Sequence, residues 1–328
     1  VKVLVTGANG FVGSRLAQYL SEQGCEVRAM VRSGSDRSLM EGISCEIFEG
    51  DIRDREAVDR AVDGCEKVFH IAALFRQAAH GEEMFKEVNV QGVENVLDAA
   101  SRHKVNHVIH CSTIGVLGSV KPNHLADERT PFAPSDAYQR SKMEGEQLAL
   151  ARAREKHEPI TVIRPAMIYG PGDYRWLKLF RAIAQRHFVM IGSGQTLCHY
   201  IYIQDLVHAF WLAALAGPKA YGQVYIIAGD GPYTLNKAFA EIAEAVGKPL
   251  WPFKIPVKPL YYAGALCEAI CKPFQIEPPL YRRRVGMFTH HRSFNCQKAE
   301  RDLGYVPEVP WKEGVRLTID WYREKGLI

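Results

Sequence analysis

No apolar run in this sequence is long enough to cross a bilayer. The longest, Ala209 to Ala216 and Leu260 to Ile270, fall well short of the ~20 residues a membrane helix needs. Charge of one sign is not concentrated either: 41 Lys and Arg against 37 Asp and Glu leave a dispersed net charge of +4, too mild to argue for nucleic acid. Internal repeats and low-complexity tracts are absent. The eight cysteines (Cys25, Cys45, Cys65, Cys111, Cys198, Cys267, Cys271 and Cys296) lack a CxxC or CxxxxC framework, so they read as reduced thiols of a cytoplasmic protein. Cys267 and Cys271 lie one helical turn apart and His290 adjoins His291, but neither pair has the spaced partners of a metal site, and none is expected. The first strand begins at residue 1, and no signal peptide is expected ahead of it. After Leu260 to Ile270 come Lys272 and Arg282, Arg283 and Arg284. A packed helix and a solvated basic turn are the plainer reading, with a peripheral membrane contact as the alternative.

What is present starts with VKVLVTGANGFVG. Val1, Val3, Leu4 and Val5 form a buried strand that stops at Thr6-Gly7, and a helical pattern begins at Phe11. Gly7, Gly10 and Gly13 recur every third residue across the junction. There a missing side chain permits a tight turn, close approach of a pyrophosphate and close packing of helix on strand. The free N–H groups of the helix then face the phosphates. Gly7, Asn9, Gly10, Phe11, Val12 and Gly13 are therefore the expected phosphate-binding turn of a dinucleotide site.

Further strands are expected at Glu26 to Val31, Cys45 to Glu49, Lys67 to Ile71, His107 to Ser112 and Pro159 to Arg164. Helices lie between them, among them Glu82 to His103 and Asp136 to His157. Six such alternations specify a doubly wound, Rossmann-type parallel sheet of the α/β class. Beyond Gly170 the alternation breaks down into a smaller α+β substrate lobe. The expected division is 1–170, with 197–230 returning to it, against 171–196 and 231–328. Helices are expected there at Tyr174 to His187, Asp205 to Leu215, Thr234 to Val246, Pro259 to Cys271, Gln297 to Leu303 and Trp311 to Lys325. Short strands are expected at Tyr200 to Ile203 and Val224 to Ala228, and a turn at Ile191 to Gly194.

Strand ends nominate the site. Arg32, where such folds choose between cofactors, suits a ribose 2′-phosphate and favours NADP over NAD, with no carboxylate before Asp36. Small residues at Ala72 and Ala73 leave room for a flat ring. Thr113 follows the fifth strand and faces the ligand crevice. Tyr138 and Lys142 lie four residues apart on the next helix and project from one face. An ammonium near a phenol lowers its pKa, so Tyr138 is expected to exchange a proton with a substrate oxygen that Thr113 holds. Tyr174/Lys178 and Tyr233/Lys237 share that spacing, so position along the fold singles out the pair at 138 and 142.

TGANGFVG at 6–13, GDIRD at 50–54, HIAA at 70–73, Asn89, ST at 112–113, YQRSK at 138–142, RPAMIYGPGD at 164–173 and YIYIQDLV at 200–207 resemble the extended short-chain dehydrogenase/reductases, the NAD-dependent epimerase/dehydratase superfamily. The resemblance covers nearly the whole chain. It implies an NAD(P)-dependent enzyme in which Gly7, Gly10 and Gly13 bind the pyrophosphate, Arg32 the adenosine ribose or its phosphate, and Asp51 and Ile52 the adenine. Ala72 and Ala73 line the nicotinamide half, which Pro165 to Ile168 border, and Thr113, Tyr138 and Lys142 are catalytic. Asn89 supports the sheet or an ordered water near Lys142, and Asp205 is structural.

Relatives that eliminate water or CO2 carry carboxylates directly after the catalytic Thr, where this chain has Ile114-Gly115. Many sugar-nucleotide epimerases carry an Arg where this chain has Thr196-Leu197-Cys198-His199, although Arg282 to Arg284 or Arg292 offer a substitute clamp. Arg32, Tyr261 to Ile270 and the terminal WYREKG are closer to the 3β-hydroxysteroid dehydrogenase and dihydroflavonol reductase branches. The expectation is an oxidoreductase moving hydride at a secondary alcohol or ketone of a small molecule. The alternatives are a nucleotide-sugar epimerase with tightly bound NAD and a dinucleotide-binding sensor without catalysis. A homodimer through the helices near 82–103 and 136–157 is implied by the resemblance alone.

Overall fold

The computed structural model describes residues 1–75, 81–271 and 282–328, apart from the side chains of residues 268 and 282–284. Its strands are β1 (Lys2–Thr6), β2 (Glu26–Val31), β3 (Glu46–Glu49), β4 (Lys67–His70), β5 (His107–Cys111), β6 (Ile160–Pro165), β7 (Met167–Tyr169), β8 (Met190–Ile191), β9 (Leu197–Tyr202), β10 (Val224–Ile227), β11 (Pro232–Thr234) and β12 (Lys254–Ile255). Seven of them form one parallel sheet in the order β10-β6-β5-β4-β1-β2-β3. The order reverses between β1 and β4, and the crevice of such a sheet opens there, beyond the carboxyl ends of the strands.

Helices α1 (Phe11–Glu22), α2 (Arg55–Val62), α3 (Glu82–Lys86), α4 (Gly92–Arg102), α5 (Ala137–Glu155), α6 (Leu177–Ala184) and α7 (Ile203–Ala216) follow the first strands. Strand periodicity sends Val3, Val5, Phe69, Ile109 and Ile163 to one face, where they meet Leu16 and Leu20 of α1 and Leu206 and Phe210 of α7. Leu4, Val68, Val108 and Val162 face the other way, onto Val58 of α2, Val93, Val96 and Leu97 of α4 and Ala149 of α5. Strands covered on both faces read as unbroken apolar runs, which is why they are visible in the sequence. The remaining helices are α8 (Leu235–Val246), α9 (Val257–Cys271), α10 (Arg282–Thr289), α11 (Gln297–Leu303) and α12 (Trp311–Glu324).

The strand expected at Val224 to Ala228 is β10, which pairs in parallel with β6 as the seventh strand of the sheet. Three local expectations are corrected. The expected turn at Ile191 begins as strand β8, which β12 pairs in parallel. Helix α6 is shorter than Tyr174 to His187, since the Asp173 carboxylate accepts from the Arg175 backbone N–H and holds residues 173–175 in a side-chain-closed turn. The helix expected across Glu82 to His103 is interrupted by a π turn at Glu87–Gln91, centred on Asn89. Strand β9 lies outside the large sheet, between β11 and β7.

Helix α5 is seated by polar contacts. Ser141, Lys142, Glu146 and Arg152 are all buried on it. Glu146 pairs with Arg164 of β6 at 2.5 Å, with both side chains almost inaccessible to solvent, and accepts from Ser112 Oγ at 2.5 Å. Arg152 bonds Glu158 and Asp98. At Gly145 an added Cβ would stand 2.3 Å from the Asn89 carbonyl oxygen, so only glycine lets α5 approach the π turn this closely. Removing one partner of a buried pair strands the other's charge, at a cost of about 3–5 kcal/mol. Glu146→Ala is therefore expected to lower the urea midpoint sharply, and Glu146→Ala with Arg164→Leu to recover much of the loss. A single variant as stable as wild type would contradict this account of how α5 is held.

Among the described residues, four imidazoles are buried in or beside the sheets. Burial, with the nearby Lys142 charge, pushes His70 down to about 3, and burial with Lys67 pushes His107 down to about 4. His110 is driven well below its ordinary range by burial, Lys142 and His70, and burial takes His199 down to about 4. In the unfolded chain each titrates near ~6.5. Between those limits the unfolded state binds more protons, so stability falls as pH drops from about 6.5 toward about 4. Urea midpoints measured from pH 7 to pH 4 should show this fall, and His110→Phe should flatten the slope by about one proton. A wild-type slope in that variant would show that His110 does not carry its share.

Candidate active site

The turn after β1 is built for an anionic ligand. Gly7 has φ +66°, and an added Cβ there would lie 2.8 Å from Ala72 Cα. At Gly13 an added Cβ would lie 2.1 Å from the Gly7 carbonyl oxygen, and at Gly10 3.3 Å from the same oxygen. The crowding is severe at 7 and 13 and mild at 10. Gly10 caps α1 without a side-chain acceptor, and the first turn holds no acidic residue, so the backbone N–H groups and the positive end of the helix are left for a ligand. Phe11 and Val12 are half-buried on that first turn. Thr6 Oγ1 joins the two strand ends, accepting from the N–H groups of Ile71 at 3.2 Å and Ala72 at 3.1 Å and bonding His70 Nδ1 at 2.9 Å.

One end of the crevice is a groove of about 600 Å³, with Arg32, Ser33, Gly34 and Ser35 on one side and Glu49, Gly50 and Asp51 on the other. Arg32 is exposed in it. The Arg53 guanidinium, more than burial, holds Asp51 below the usual carboxylate range. Asn9 does not line a phosphate loop by its side chain alone: its Nδ2 donates to the Asp36 carbonyl at 3.1 Å and ties that loop to the first turn. Ile52 is buried, and its carbonyl accepts from Asn95.

At the other end, Thr113 caps a 3-10 turn, Ile114–Leu117, its Oγ1 accepting from the Gly115 N–H at 3.1 Å. Tyr138 stands in the first turn of α5, which Asp136 caps by accepting from the Gln139 N–H at 2.8 Å. The Thr113 hydroxyl lies near the Tyr138 phenol and pulls its pKa down slightly, against the larger effect of burial. Phe75 meets the phenol ring edge-on at 5.0 Å between centroids and Phe85 at 6.4 Å. Asn89 binds both the N–H (2.8 Å) and the carbonyl (3.1 Å) of Leu74 and donates to Ser141 Oγ at 2.9 Å. Ser141 in turn donates to the Tyr138 carbonyl at 2.8 Å. Gly7, Ala72, Ala73, Asn89, Thr113, Tyr138 and Lys142 thus collect at the carboxyl edge of the sheet. Pro165 ends β6 on that edge, and the Ile168 carbonyl accepts from Trp176 and Arg175.

At Tyr138 burial outweighs the pull of neighbouring cations. Burial raises the Tyr138 phenol well above its ordinary range, and Cys111 adds to the rise. Arg175 is the cation that opposes this rise most. Lys142 is buried, lowered mainly by that burial, and donates to the Cys111 carbonyl at 2.6 Å. The phenol is therefore a protonated acid around neutrality in this arrangement. Sequence reasoning did not single out Arg175, whose guanidinium pairs with buried Asp173 at 2.8 Å and lies over the rings of Phe11 (5.2 Å) and Phe75 (5.9 Å). Its only signal was its place two residues after the YGPGD segment. Phe75 and Phe85, also passed over, follow small or polar stretches that gave no periodic pattern.

The residues toward which a dinucleotide would extend match its chemistry: a glycine cradle that a Cβ would fill, a bare helix end for the pyrophosphate, and an exposed Arg beside the adenosine groove. The NAD dependent epimerase/dehydratase family matches residues 3–228. A 2-alkyl-3-oxoalkanoate reductase of Stenotrophomonas maltophilia (strain K279a) is 31% identical over 333 residues, covering 96% of this chain and 98% of its own. The 3beta-hydroxysteroid-dehydrogenase/decarboxylase isoform 1 of Arabidopsis thaliana is 31% identical over 345 residues, covering 97% of this chain and 78% of its own. Among solved structures, DesIV, a dTDP-glucose 4,6-dehydratase of Streptomyces venezuelae with NAD and TYD bound, superposes with a TM-score of 0.80 at 25% identity, covering 99% of this chain and 97% of that one. With the family match spanning well over half of its length, the protein belongs to the NAD dependent epimerase/dehydratase family, as an NAD(P)-dependent enzyme of the extended short-chain dehydrogenase/reductases in their 3β-hydroxysteroid dehydrogenase-like branch.

Proposed function

We propose that the protein is an oxidoreductase that interconverts a ketone and a secondary alcohol on an apolar small molecule, with Tyr138 as general acid/base. The observation that carries this reading is the placement of the Tyr138 phenol at the carboxyl edge of the sheet with the Thr113 hydroxyl near it and the rings of Phe75 and Phe85 edge-on to it. Those walls suit a substrate with little polar surface. The nicotinamide, when bound, supplies or accepts the hydride. In the reducing direction Tyr138 donates its proton to the substrate oxygen, and the Thr113 hydroxyl donates a hydrogen bond to the same oxygen and orients it. The Lys142 ammonium, one helical turn along α5, stabilises the phenolate left behind. Asn89 and Ser141 hold the first turn of α5 in position through the Tyr138 carbonyl. No carboxylate follows Thr113, where Ile114 and Gly115 stand, so elimination and decarboxylation lack a base there.

Gly7, Asn9, Gly10, Phe11, Val12 and Gly13 would hold the pyrophosphate, Asp51 and Ile52 the adenine, and Ala72, Ala73, Pro165 and Ile168 the nicotinamide half. We assign Arg32 to a ribose 2′-phosphate and hence favour NADP over NAD. The division into 1–170 with 197–230 and 171–196 with 231–328, the cytoplasmic setting and a homodimer through α3–α4 and α5 belong to the same proposal. A nucleotide-sugar epimerase is the competing reading. It lacks an arginine at Thr196 to His199, and Arg292 is engaged elsewhere, its backbone bonded to Leu197 and His199 and its guanidinium to the His290 carbonyl. The side chains of Arg282 to Arg284 lie outside the described residues.

Three measurements test the reading. Tyr138→Phe should lower kcat for ketone reduction by about 10²–10⁴-fold while dinucleotide affinity stays near wild type, and an unchanged kcat would remove Tyr138 from the chemistry. Arg32→Ala should weaken NADPH by roughly 10–100-fold, the worth of about 1.5–3 kcal/mol for a charge-assisted hydrogen bond, and leave NADH nearly untouched. Tightly retained NAD released on denaturation would favour the epimerase and refute the role given to Arg32.

A further inference from the structure

Helix α9 is apolar on the side that faces water. Its sequence, VKPLYYAGALCEAIC, puts Tyr262, Leu266 and Ile270 at i, i+4 and i+8, one stripe along the helix. Their exposures are 70%, 64% and 58%, while Gly264 on the opposite side is buried. Helices that are apolar all round are ordinarily enclosed, and this one is not. The segment leading into it continues the pattern. Trp251, Phe253 and Ile255 alternate along an extended stretch ending in β12, and all three are exposed, Phe253 at 56%. Trp251 and Phe253 lie 5.5 Å apart, ring to ring. Single exposed apolar side chains are ordinary, but six large ones on consecutive elements form a patch that asks for a partner.

Charge identifies the partner. From residue 245 to residue 276 the sequence contains a single carboxylate, Glu268, against Lys248, Lys254, Lys258 and Lys272. Lys258 lies four residues before Tyr262, at the head of the apolar stripe, on a stem long enough for its amine to snorkel beside it. A second copy of this chain on a two-fold axis would set this lysine-rich patch against itself, with Glu268 as the one carboxylate to offset four lysines in each copy. An acidic, apolar-cored surface fits instead. At 15 residues α9 is about 22 Å long, too short to span a hydrocarbon core of about 30 Å, and no described helix is long and apolar enough to cross a membrane. Aromatic and aliphatic residues bordered by lysines, with Trp and Tyr among them, are the make-up of a helix lying in the headgroup plane.

We propose that α9 and the Trp251-to-Ile255 segment form a docking face for an anionic bilayer surface, with Tyr262, Leu266, Ile270 and Phe253 entering the headgroup region and Lys248 and Lys258 contacting acidic lipid. This does not depend on the reading of Tyr138, and it concerns a surface rather than the crevice.

The test is sedimentation of the full chain with sucrose-loaded vesicles, either of phosphatidylcholine alone or of equal parts phosphatidylcholine and phosphatidylserine. The expected result is binding to the acidic vesicles at least about tenfold stronger than to the neutral ones, since each lysine near such a surface adds roughly a fivefold gain. Added salt should reduce it. Leu266→Glu with Ile270→Glu should abolish binding, and Lys248→Glu with Lys258→Glu should remove the preference for acidic lipid. Both variants should keep the wild-type melting temperature and dinucleotide affinity. Absence of wild-type binding, or equal binding to both vesicle types, overturns the proposal. If wild type stays off vesicles and the Leu266/Ile270 variant converts a dimer to a monomer by light scattering, the face joins two copies of the chain instead.

Discussion

The site depends on one physical arrangement, the seating of α5 by buried charge. Its sequence is too polar to be held by apolar area alone, yet it must present Tyr138 and Lys142 to the crevice at a fixed height. The Glu146–Arg164 pair, closed by Ser112, ties the middle of the helix to β6 and to the end of β5. Lys142 fastens to the Cys111 carbonyl one turn earlier, and Asp136 caps the start. Such pairs contribute little net stability compared with apolar packing, but they tolerate one geometry only. That rigidity is what a proton donor needs, since a general acid must lie within hydrogen-bonding reach of the oxygen it serves.

The π turn around Asn89 answers the same requirement from the neighbouring helix. The wider turn presents the Asn89 carbonyl to α5, where Gly145 leaves no side chain in the way, while the Asn89 amide secures Leu74 and Ser141. A regular helix would keep its own i to i+4 bonding and forgo these contacts. Interruptions of this kind gather at functional sites because they trade helical regularity for a specific side-chain position.

Beneath the site, His70 and His110 stack at 5.4 Å between centroids, and both ring nitrogens of His110 have no hydrogen-bond partner among the described residues. Burial and the Lys142 charge keep both rings neutral. The buried Lys142 and the desolvated Tyr138 phenol respond to the same low-polarity surroundings in opposite senses, one pKa lowered and the other raised. Burial therefore sets the resting proton state here, ahead of the attraction between a lysine and a phenol that helical spacing suggested.

By itself the sequence determined the alternating strands and helices, the glycine turn and the positions of Thr113, Tyr138 and Lys142, because each rests on short-range rules. Apolar runs bury on two faces, glycine alone tolerates the turn at Gly7, and four residues make one helical turn. It could not determine that β10 pairs with β6, the π turn at Asn89 or the place of Arg175 over Phe11 and Phe75, since these depend on groups distant in the chain. Nor could it assign the sign of the shift at Tyr138, which follows from how much water the folded walls exclude. Tertiary structure decided these points because desolvation and backbone pairing are properties of the packed assembly and leave no periodic mark in a linear string.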